Sequence, residues 1–173
     1  MSGEFKAAGD LQAPALLRRL ACFLYEGVLL FGVVMVAGLV YSVTTQQRHA
    51  LSGLHGLQAF VFVVLGAYFT WFWSRSGQTL AMQTWHIRLL SAHGEPVTRV
   101  RALCRYLLSW LWFLPALVAV YLAGLKSGAA IFSALGVGVL AYAALSWLHP
   151  QRQYWHDVVC GTRLVNWQAR PKP

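Results

Sequence analysis

A chain of 173 residues is short enough for a single domain. It is 58% hydrophobic and 11% charged, against about 25% charged in ordinary soluble domains. A soluble fold of this size has nowhere to bury that much apolar surface, so a lipid bilayer is the expected solvent. The net charge of +9 falls between apolar runs and forms no basic patch on a soluble module, which argues against nucleic-acid binding.

In chain order, residues 1–14 read as a flexible cytoplasmic tail carrying Glu4, Lys6 and Asp10. Residues 15–167 read as the transmembrane domain, and 168–173 as a second cytoplasmic tail. Pro14 suits the opening of a helix, and Arg18 and Arg19 mark the membrane edge. The first apolar run, residues 20–41, is interrupted only by Glu26. It exceeds the ~7–15 residues of a signal-peptide core and is expected to be retained. Further runs cover 57–73, 106–125 and 128–148, with Pro115 placed to kink the third. Each is near the ~20 residues needed to span hydrocarbon. Backbone groups in lipid must be satisfied within the segment, so these are helices. The expected fold class is an all-α membrane protein: a four-transmembrane-helix bundle with a small cytoplasmic loop element.

That loop element lies between the second and third runs. Residues 85–90 read as a short strand, 92–96 as a turn, and Thr98 as the cap of a helix starting near Arg99. Residues 162–167 have a β-like pattern as well, and the two segments could pair as a two-stranded ribbon. In the fourth run, Ala130, Ala134 and Gly138 share one helix face. Such a small-residue stripe favours close packing, here inside the bundle because a very short loop joins the last two helices. Tyr68, Trp71 and Trp73, then Tyr106, Trp110 and Trp112, then Trp147, Tyr154 and Trp155 sit near run ends and read as lipid-facing headgroup anchors. Counting Lys and Arg puts twelve on the side of the termini and two, Arg48 and Lys126, on the other. That bias places both termini in the cytoplasm. Cys22, Cys104 and Cys160 then face or adjoin a reducing compartment, consistent with the absence of paired spacing.

Glu26 is the one ionisable residue inside an apolar run, and it lies about 10 Å deeper than Arg19 on the same helix face. A carboxyl there is costly and calls for pairing, protonation or water. Arg19 is its nearest partner in sequence, and Asp157 is positioned to bridge Arg19 from beyond the fourth helix. Two roles remain open for Glu26: a hydrogen-bonded tie between helices, or a titrating group in a proton or cation path. No HExxH, GxSxG or phosphate-binding glycine loop is present, and the six histidines form no metal pattern. No enzyme activity, metal or cofactor is therefore expected.

Arg19-Leu20-Ala21 with an acid at Glu26, then Gly77-Gln78-Thr79-Leu80, Arg88-Leu89-Leu90, Gly94-Glu95-Pro96 and finally His156-Asp157 with Gly161-Thr162 resemble, in this order, the RDD family of membrane proteins. The resemblance covers roughly 16–165. It departs from the family at Glu26, where aspartate is usual, and at Ala81-Met82, where Gly-Lys is common. It implies a multi-pass inner-membrane protein in which Arg19, Glu26 and Asp157 are the family's charged residues, with His156, Gly77, Gln78 and Thr79 as secondary positions. Most members have no assigned activity, and cation–proton exchange has been attributed to some. The expected function is a membrane packing or assembly partner; the alternative is a cation–proton exchanger with Glu26 as titrating group. The bilayer is the expected partner, with room for a second copy or another membrane protein. Arg75, Arg88, Arg99, Arg101 and Arg105 are candidate contacts for anionic lipid.

Overall fold

Helix α1 spans Leu16–Thr44, about 43 Å at 1.5 Å per residue and more than the hydrocarbon thickness. The computed structural model describes residues 12–45 and 54–167. The two tails expected from the sequence, with Glu4, Lys6, Asp10, Arg170 and Lys172, and also Arg48, lie outside the described residues, apart from 12–14 of the first tail. Pro14 is buried and precedes Ala15, the first cap of α1, so it fixes the approach to the helix and is not its first residue. Leu24, Val28, Phe31, Met35 and Leu39 recur at helical spacing and are exposed, which in a bilayer makes them a lipid-facing stripe.

Helix α2 covers Leu54–Arg75. A reversal follows, then the short helix α3, Leu80–Thr84, and strand β1, Ile87–Ser91. The third crossing, Arg99–Leu122, is composite: helix α4, Arg99–Ser109, a tighter turn over Trp110–Trp112, and helix α5, Leu114–Leu122. Pro115 sits in the first turn of α5, so its missing N–H and fixed φ fall where the helix restarts. Thr98 caps α4 as expected, accepting from the Arg101 N–H at 3.4 Å. Ser127 caps α6, Gly128–Ala144, and a tight turn extends that crossing to Leu148. Helix α7, Trp155–Val159, and strand β2, Thr162–Asn166, complete the described chain.

The four crossings put both ends of the domain on one side. Strand pairing agrees: β1 and β2 are antiparallel, with Leu89 opposite Leu164, so the loop after α2 and the segment after α6 share that side. The Asn166 N–H also reaches the Gln12 carbonyl at 3.2 Å, bringing in the start of the chain. The ribbon caps one end of the bundle, and its central residues Leu89, Leu90 and Val165 are fully buried.

Close helix contact depends on small residues. A Cβ on Gly138 would lie 2.7 Å from the Ala116 Cβ, so the small-residue stripe of α6 packs against α5 inside the bundle. A Cβ on Gly66 would lie 3.0 Å from the Tyr106 ring, and the Tyr106 hydroxyl donates to the Phe62 carbonyl at 2.8 Å. The aromatic anchors therefore divide. Trp71, Trp147 and Trp155 are exposed, but Trp73, Tyr106, Trp112 and Tyr154 are buried. Trp112 stacks on Phe23 at 5.0 Å and meets Tyr154 edge-on at 4.9 Å, so these rings fill the core beneath the cap.

Candidate functional site

The buried charged residues gather where the cap meets the bundle. The Gly77-Gln78-Thr79 run explains part of this convergence. Gly77 ends α2 at φ +72°, and its carbonyl accepts from the Leu89 N–H at 2.8 Å. A Cβ there would meet the Leu89 carbonyl at 2.7 Å, so the turn requires glycine. The Gln78 side chain donates to the Ile87 carbonyl at 2.7 Å, holding β1. Thr79 caps α3 by accepting from the Met82 N–H at 3.2 Å, and its hydroxyl donates to Glu26 Oε2.

Glu26 Oε1 accepts from the Tyr68 hydroxyl at 2.9 Å. Both carboxyl oxygens are therefore engaged, one by α2 and one by the entrance to α3. Three elements that are distant in sequence meet at one side chain.

Asp157 is fully buried, and its partner is Arg105: Nε to Oδ1 measures 2.6 Å. The Arg105 guanidinium also lies 4.1 Å over the Trp73 ring. The Thr162 hydroxyl sits 3.2 Å from both the Asp157 carbonyl and Oδ1. Burial alone pushes this carboxyl up, but Arg105 and His156, with hydrogen bonds from Arg105 and Thr162, outweigh it and hold the group below the usual carboxylate range. The bridge expected between Arg19 and Asp157 is not formed. Arg105 takes that place because it shares a helix face with the buried Ala102 and Tyr106 and points inward from α4.

His156 sits between Tyr142 and Asp157. The Tyr142 oxygen accepts from the His156 backbone N–H at 3.1 Å and lies 2.9 Å from Nδ1. Nε2 faces Asp157 Oδ1 at 3.6 Å. Burial pulls the imidazole down to about 4, against the opposing pull of Asp157.

Arg19 is 4% exposed. Its Nη2 reaches Ser146 Oγ at 3.4 Å, and its guanidinium lies 4.4 Å over the Tyr154 ring. Arg19 and Glu26 form no ion pair within 4 Å among the described residues. Both line a cavity of about 360 Å³, together with Tyr154, Thr79 and mostly apolar side chains.

The motif residues Arg19, Glu26, Thr79, His156 and Asp157 thus assemble in one region, with Gly77 and Gln78 shaping the loop behind it. Sequence reasoning passed over Ser146, read Tyr68, Trp73 and Tyr154 as lipid-facing anchors, and read Arg105 as a contact for anionic lipid. Among the described residues no group of three His, Cys, Asp or Glu side chains could hold a metal ion.

Among the described residues, four apolar helices long enough to cross a membrane, under a two-stranded cap, define a multi-pass membrane protein. The sequence profile of the RDD family matches residues 13–161, most of the chain, and the chain belongs to that family. The match ends just before β2. Comparison with curated proteins found no match, and comparison with solved structures found none.

Proposed function

We propose that this chain is a non-enzymatic packing or assembly partner within the inner membrane, with both termini in the cytoplasm. The observation that carries the reading is the engagement of both buried acids by protein donors. Glu26 is held by Tyr68 and Thr79, and Asp157 by Arg105 and Thr162. Buried ties of this kind fix one arrangement of helices and cap, and they suit a rigid surface offered to another membrane protein. The orientation rests on the twelve-to-two bias in basic residues. Arg75, Arg99 and Arg101 are exposed at the cap and suit contact with acidic headgroups, whereas Arg105 is buried and Arg88 lies 4.2 Å over the Trp167 ring.

Isolation of the tagged full chain from native membranes in mild detergent tests the reading. A stoichiometric membrane partner is expected, and recovery of the chain alone at every detergent strength would contradict it. One observation favours a second reading, cation–proton exchange: Glu26 borders the cavity. In that case Glu26→Gln removes the proton-binding group and abolishes exchange.

A further inference from the structure

Arg19 is a buried cation whose nearest protein acceptor leaves most of its hydrogen-bonding capacity unused. Its Nε and Nη1 have no hydrogen-bond partner among the described residues, and the one bond made by Nη2 is long. The Tyr154 hydroxyl and the Trp73 indole N–H, both on buried side chains, are likewise without partners there. All three side chains line the same cavity. An arginine fork, a phenol and an indole N–H are donors for an anion, the fork giving planar, bidentate recognition of phosphate.

The other charged and titratable groups facing the cavity do not cancel this. Arg105 is answered by Asp157, and His156 is neutral at ordinary pH. Glu26 lies about 10 Å further along α1, with both oxygens occupied. Asp157 also acts on Arg19 at a distance without forming an ion pair, so the Arg19 end keeps a cation whose Nε and Nη1 are unpartnered among the described residues.

The rest of the cavity suits a different chemistry. Its wall is apolar, with Phe23, Leu30, Leu65 and Phe113 among its residues, and it reaches the exposed face of α1 at Leu24 and Gly27. Arg19 is the fourth residue of α1, close to the end of that crossing. The volume of about 360 Å³ is within the range of small-ligand sites. We infer that this cavity binds one anionic phospholipid, its phosphate seated on Arg19 and Tyr154 and the upper part of an acyl chain along the apolar wall.

Native mass spectrometry of the full chain in mild detergent tests this, with phosphatidylglycerol and phosphatidylcholine of identical acyl chains as probes. One phosphatidylglycerol is expected to be retained in preference to phosphatidylcholine. Arg19→Gln should weaken that retention about tenfold or more, the loss expected of a charged hydrogen bond. The double change Lys126→Gln with Arg152→Gln, at exposed positions that do not line the cavity, should leave the preference in place. Equal retention of the two lipids, or full retention by Arg19→Gln, would overturn the inference. So would displacement of the lipid by inorganic phosphate, which would make the site one for a free anion.

Two further variants keep the test decisive if Arg19→Gln does not fold. Tyr154→Phe removes only a hydroxyl that has no hydrogen-bond partner among the described residues. Gly27→Leu raises helix propensity, and its Cβ meets nothing within 4 Å, so its side chain extends where the acyl chain would lie. Reduced retention in both supports the site, and undiminished retention in both overturns it.

Discussion

Replacing Asp157 by asparagine deletes one charge and almost no volume at a fully buried position. The native carboxylate lies 2.6 Å from Arg105 Nε, and its removal leaves a buried guanidinium answered, among the described residues, by the Trp73 ring at 4.1 Å. Breaking a buried pair from one side costs about 3–5 kcal/mol. The amide oxygen can still accept from Nε, so the loss should fall near the lower end, about 3 kcal/mol. Because Arg105 is on α4 and Asp157 on α7, the loss should appear as release of the cap before the bundle opens. Reversible unfolding in mixed micelles, followed by tryptophan fluorescence and by exchange of β2 amides, measures both. The double change Arg105→Gln with Asp157→Asn should be less destabilised than the sum of the single changes, because it leaves no orphaned charge. A loss under about 1 kcal/mol, typical of an exposed pair, or strict additivity, would refute the reasoning.

Three other outcomes follow from the same geometry. His156 titrates near 4 in the fold and near 6.5 when unfolded. Its contribution to stability is therefore fully present above about pH 6.5 and is lost as pH falls toward about 4, by roughly 3 kcal/mol. Asp157, also held low, extends that acid loss below about pH 4. A flat unfolding profile between about pH 4.5 and 7 would contradict the buried neutral ring. Gly77→Ala should cost about 1–2 kcal/mol or more from the positive φ and the contact with the Leu89 carbonyl, and should speed exchange at the Leu89 amide; unchanged exchange would count against it. Gly138→Leu should cost about 1–3 kcal/mol by overpacking against Ala116, whereas Gly136→Ala, with open space at its Cβ, should be neutral or slightly stabilising in the same unfolding assay.

The four crossings were legible because hydropathy and length decide them, and neither needs tertiary information. The ribbon was legible to within a residue or two, since Gly94 marks its turn and Gly161 precedes its second strand. The helix starting at Arg99 was legible from Thr98, but its continuity with the third crossing was not, because charged Arg101 and Arg105 mask the apolar face of α4. Charge pairing was the least legible. Arg19 and Asp157 suggested a bridge by proximity to the same membrane edge, yet which arginine reaches Asp157 depends on the angle at which α4 enters the bundle. Tyr68, Trp73 and Tyr154 looked like interfacial rings because an aromatic near a helix end carries the same local signal whether it faces lipid or core. Ser146, 3.4 Å from Arg19 Nη2, and Gln153, which clamps the Leu164 backbone, carried no signal at all.

On the proposed packing role the buried charges are ties and not a conduction path, and flux through a sealed membrane tests this most directly. Purified protein in vesicles, under an imposed sodium gradient with a pH-sensitive dye inside, should show no proton movement above that of empty vesicles. Proton flux that depends on the protein and disappears in a folded Glu26→Gln variant would contradict the account and make Glu26 a working titrating group.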